Sequence, residues 1–104
     1  MELTGAFLPG DDDEVHDVVV WLGLLGIGAN NPGVARALRL DAEAERDLLH
    51  RVTGGGLDEA GLDTLVAIIH GLRLAVCAPE APMSVARAAD LLDRYVRSRV
   101  TSAA

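Results

Sequence analysis

Three breaks divide this chain, and between them the apolar residues return at helical spacing. The breaks are Gly28 with Asn30, Asn31 and Pro32, then Gly54-Gly55-Gly56, then the stretch from Pro79 to Pro82. Each gathers residues that free or lock the backbone in ways a helix interior resists. The segments between them repeat with a 3.6-residue period, which predicts helices and not half-buried strands. The starts carry matching signals. Acids at Asp11, Asp12, Asp13 and Glu14 precede the first apolar run, Asn31 precedes Pro32, and Ser84 precedes the last run. Such residues satisfy free N–H groups and suit the positive end of a helix dipole.

The period predicts a first helix over Asp13–Ile27, apolar on nearly every side, with Val18, Val19, Val20, Trp21, Leu22, Leu24 and Leu25. Gly23 and Gly26 inside it lower helix propensity by about 1 kcal/mol each, which points to a close neighbour. A helix of this composition is either central or part of an oligomer interface, so Leu22 and Leu25 are expected to be buried. Gly33–Leu40 reads as a short second helix. Asp41 then reads as the cap of a third, Ala42–Val52, with Leu48, Leu49 and Val52 on one face. A fourth, from Asp58 to Val76, places Leu62, Leu65, Val66, Ile69 and Leu72 in register. The fifth follows Ser84 and aligns Val85, Ala88, Ala89, Leu92, Tyr95 and Val96.

The resulting expectation is an all-α, compact bundle of four to five helices. Residues 1–10 form an N-terminal arm, pinned by Phe7 and Leu8. Residues 11–100 form a single helical domain, and residues 101–104 form a disordered tail. The apolar half of the 104 residues is mostly Leu, Val and Ala, and the aromatics are only Phe7, Trp21 and Tyr95. That stock suits helix-on-helix packing better than a sandwich of sheets.

Charge and cysteine content narrow the function. The net charge is −7, with nine basic residues, all of them Arg. Arg in place of Lys reflects a GC-rich, bacterial genome. An acidic chain is repelled by nucleic acid and by anionic membranes. The lone Cys77 excludes an internal disulfide and fits the cytoplasm. No charged-then-apolar leader marks the N-terminus. The uncharged, apolar stretch Val18–Asn31 is shorter than the roughly 20 residues that span a bilayer.

Several short motifs have the outline of a chemical site. Gly26-x-Gly28 before Pro32 resembles a phosphate-cradling turn between strand and helix. The third glycine of the dinucleotide pattern would fall at position 31, which is Asn, and no second strand follows. Val34–Val52 has the small and apolar positions of a helix-turn-helix, but Glu43, Glu45 and Asp47 would face phosphates. The histidines, His16, His50 and His70, are not spaced as paired ligands on a helix face. His16 lies among acids, which suits a solvated helix start. No nucleophile–base pair and no paired carboxylates stand out, so no catalytic, cofactor-binding or metal-binding residue is expected, no cofactor is implied and the chain is read as non-enzymatic.

The sequence thus points to a protein–protein interaction module, adaptor or regulatory, that self-associates, most simply as a homodimer. The interface residues expected are Val18, Trp21, Leu22 and Leu25 from the apolar first helix. Arg94, Arg97 and Arg99 join them, facing the acidic 11–17 segment of a second copy. The alternatives are a DNA-binding transcriptional regulator with a degenerate helix-turn-helix, and a small nucleotide- or ligand-binding domain using the Gly26–Gly28 turn.

Overall fold

The computed structural model describes residues 7–78, 80 and 83–103. Among them are four helices and no strand: α1 Asp12–Gly28, α2 Pro32–Val52, α3 Glu59–Cys77 and α4 Val85–Ala103. The chain is therefore an all-α bundle. Pro79 and Pro82, predicted to stop the fourth helix, lie outside the described residues, as do residues 1–6 of the predicted arm. α4 is continuous through Ala103, and Ala104 lies outside.

The caps predicted at Asp11, Asn31 and Ser84 form, and Asp58, where the fourth helix was expected to begin, acts as a cap as well. Asp11 accepts from the Glu14 N–H at 2.8 Å, Asn31 from Val34 at 3.1 Å, Asp58 from Gly61 at 2.7 Å and Ser84 from Arg87 at 3.1 Å. Pro32 occupies the first turn of α2, where its missing N–H is not needed. At the other end of α2 the Gly55 N–H reaches back to the His50 carbonyl at 3.0 Å. That return needs a left-handed backbone, which Gly54 and Gly55 supply at φ +64° and +72°.

Two expectations need correction. Asp41 does not cap a helix: residues 32–52 form one uninterrupted helix of 21 residues. The reason is that Val34, Leu38, Asp41, Glu45, Leu49 and Val52 share one face, so the helical period runs through Asp41. The first helix is also not the bundle's centre. None of α1's residues is fully buried, Leu22 is half-buried and Leu25 is 44% exposed. α1 lies at the edge, against α2 and one side of α3. The phosphate-turn reading fails with it, because Gly26 and Gly28 are both inside α1. Nor does Val34–Val52 hold the turn that a helix-turn-helix requires.

The core instead surrounds α3. Leu62, Leu65, Ile69 and Leu72 from α3 meet Leu49 from α2, Ala88, Leu92 and Val96 from α4, and Phe7, Leu8 and Leu57 from the connecting segments. The Tyr95 hydroxyl donates to the Gly61 carbonyl at 3.3 Å and ties α4 to α3. Gly56 has no room for a side chain, since a Cβ would lie 3.1 Å from Val100 and 3.2 Å from the Thr53 carbonyl oxygen. α3 is long and apolar enough to cross a membrane by length and composition, but its Leu65 and Ile69 are completely buried inside the domain.

Candidate ligand cleft

A cleft opens where the arm, α1, α2 and α3 meet. Its volume is about 270 Å³. The arm supplies Phe7, Leu8 and Pro9. α1 supplies Glu14, Asp17, Val18 and Trp21, α2 supplies Asp41 and Glu45, and α3 supplies Arg73. A second, more apolar hollow of about 410 Å³ lies between α1 and α2, walled by Leu24, Gly33, Val34, Ala37 and Leu38. Trp21 and Asp41 border both.

Arg73 holds the cleft together. Its Nε donates to the Phe7 carbonyl at 2.8 Å, and its two terminal nitrogens reach the two Glu45 oxygens at 3.4 and 3.0 Å. Its guanidinium carbon lies 5.3 Å from the centre of the Trp21 ring, within reach of a cation–π attraction. One side chain on α3 thereby fixes the arm, α2 and α1. The arrangement is sheltered, with the Arg73 side chain only 12% exposed. His70 completes it, with Nε2 3.5 Å from Glu45 and its ring edge-on to Trp21 at 4.8 Å.

The carboxylates differ in their partners. Glu45 is matched by Arg73 and His70, and Glu14 accepts from the Gly10 N–H. Asp17 and Asp41 are exposed and make no hydrogen bond or ion pair with another described residue. One turn along α3 from Arg73, burial pushes the Cys77 thiol above its ordinary value, opposed by a smaller pull from Arg73. Burial there disfavours the thiolate form. Among the described residues no three metal-ligating side chains gather.

The residues expected at an interface are scattered. Val18 and Trp21 line the cleft, and Leu22 and Leu25 lie on the half-covered flank of α1. Arg94 pairs with Asp90 at 3.0 Å, as the i,i+4 spacing predicts. Arg97 donates to the Asp93 backbone carbonyl at 3.4 Å and not to its carboxylate. Arg99 is exposed. Sequence reasoning missed Asp17, Asp41, Glu45 and Arg73. Their signal was available: each is a charged residue at a position where the helical period wants an apolar one.

These features define a small all-helical domain with a cleft lined by both charged and apolar side chains. Comparison with known families gives the particular one. The description "BetI-type transcriptional repressor, C-terminal" matches residues 1–101, and the chain belongs to that family. No curated protein and no solved structure matches it. The regulator alternative of the sequence reading is therefore better supported than the adaptor reading.

Proposed function

We propose that this chain is the regulatory part of a cytoplasmic transcriptional repressor: a non-enzymatic domain that self-associates and takes a small ligand in its cleft. On this reading the chain does not itself grip DNA, since its net charge of −7 repels phosphates. The observation that carries self-association is the outer face of α3. Ala60, Thr64, Ala67, Gly71 and Leu74 recur at alternating spacings of four and three, on the side away from Leu65 and Ile69. This is the 3.5-residue period by which one helix packs along another. Among the described residues no helix covers it, and Ala60, Thr64, Ala67, Gly71 and Leu74 are all exposed. Leu74 is 55% exposed, and a Cβ at Gly71 would meet nothing within 4 Å.

The surface area agrees. The chain exposes 6490 Å², whereas a monomer of 10.9 kDa typically exposes about 5,600 Å². The excess is close to the roughly 800 Å² that each partner buries in a standard interface. A second copy related by a twofold axis would cover the stripe with the same stripe. Arg94, Arg97 and Arg99 on α4, the helix beside α3, remain proposed rim contacts. Leu22 and Leu25 remain proposed contacts of the α1 flank.

Leu74→Glu places a charge at the stripe and leaves the core untouched. The wild type is expected to elute with twice the chain mass by light scattering, and Leu74→Glu as a monomer with unchanged helical circular dichroism. A wild type that is monomeric at tens of micromolar contradicts the self-associating regulator.

A further inference from the structure

We propose that residues 7–10 are a strap that closes one wall of the cleft, latched by Arg73 and Glu14 and governed at the Arg73 end by Glu45. The device goes beyond the regulatory reading above and holds whether or not the chain dimerises. Three observations carry it. First, two side chains tie the strap to the bundle. The Arg73 Nε donates to the Phe7 carbonyl at 2.8 Å, and the Gly10 N–H donates to the Glu14 carboxylate. Among the described residues no backbone–backbone hydrogen bond joins residues 7–10 to a helix. Both latching side chains line the same cleft as Phe7, Leu8 and Pro9. Whatever fills the cleft therefore meets the groups that hold its wall.

Second, the Arg73 latch is set by α2. A guanidinium is a rigid plane whose donors point in fixed directions. Its Nε faces the Phe7 carbonyl while its terminal nitrogens lie 3.4 and 3.0 Å from the two Glu45 oxygens. Turning the plane away from Glu45 turns Nε away from the strap. Glu45 thus acts as a positioning residue for a hydrogen bond that it does not itself make.

Third, the strap has two distinct states. Phe7 and Leu8 are each 4% exposed and share the core with Leu49, Leu65 and Leu92. A side chain in a close-packed core is either in its hole or out of it. Burial favours the shut state, and the latches set how often it opens.

Thiol labelling counts the openings. In a Cys77→Ala background, one cysteine replaces Leu8 on the strap or Leu92 on α4, and the full chain is reacted with iodoacetamide. Leu8→Cys is expected to react faster than Leu92→Cys and with little dependence on low urea, as local opening requires. Glu45→Gln is expected to speed Leu8→Cys roughly tenfold. Arg73→Met does the same, and adding Glu45→Gln to it brings no further gain. Glu14→Ala, at the exposed end of the strap, has a smaller effect. Arg46→Met breaks a different tie between α2 and α3, at Asp63, and leaves the Leu8→Cys rate as it was. Hydrogen exchange at the Leu8 amide, with and without Glu45→Gln, gives the same ratio in a chain without added cysteines. A Leu8→Cys rate that matches Leu92→Cys in size and urea dependence overturns the strap. So does a rate that Glu45→Gln leaves unchanged, or that Arg46→Met raises equally.

Discussion

Leu65→Ala is expected to lower the stability of the fold by about 2–5 kcal/mol. Leu65 is completely buried at the middle of α3, with Leu49 of α2 and Leu92 of α4 in the same core. Truncation there loses the transfer free energy of the side chain and leaves a cavity between helices that cannot all close on it. Small domains hold only about 5–15 kcal/mol in total, so the loss is a large share. Urea unfolding checks it: the midpoint should fall clearly with the slope unchanged. Leu25→Ala, at a side chain 44% exposed, should move the midpoint by under about 1 kcal/mol. Equal effects at the two sites would place the core at α1 after all.

The second large effect belongs to Arg73. Arg73→Met keeps much of the side chain's length but removes the bonds to the Phe7 carbonyl and to Glu45. Glu45, with only 21% of its side chain exposed, then loses its guanidinium partner and keeps the His70 ring beside it. Removing one member of a sheltered pair costs more than the pair contributes, because the other is left desolvated. We expect a loss of about 1–3 kcal/mol and a change in Trp21 fluorescence as the cation leaves the indole. In Arg73→Met/Glu45→Gln the two losses should not add, since the second change removes the stranded charge. Additive losses would mean that the pair is not coupled.

The capping residues were the legible part of the fold. Asn31, Asp58 and Ser84 act within a few residues of themselves, so sequence spacing contains nearly all of their physics. Asp41 shows the limit of that reasoning. An Asp between two apolar runs looks like a cap, but the same residue is tolerated inside a helix when it borders a cleft. Which case holds depends on α1, Trp21 above all, standing across from it. The position of α1 was misread for a related reason. Its all-round apolar character fits a central helix and an uncovered one equally well, and only the packing of α2 and α4 on α3 decides. The cleft was invisible as a motif because its parts come from the arm and three helices. Charged residues at apolar-period positions, Asp17 on α1, Asp41 and Glu45 on α2 and Arg73 on α3, were the trace it left.

Among the described residues, the stripe of α3 and the outer side of α1 with Val19, Val20 and Ile27 both expose apolar side chains. The account assigns self-association to the first. Site-directed crosslinking separates them most directly. In a Cys77→Ala background, single cysteines are placed at Thr64, Ala67 and Gly71 on α3 and at Val20 on α1, and the chains are oxidised gently. Residues near a twofold axis come within the roughly 4.4–6.8 Å Cα separation that a disulfide needs. The account predicts a covalent dimer from at least one α3 position and none from Val20. Crosslinking through Val20 with all three α3 positions silent would contradict it.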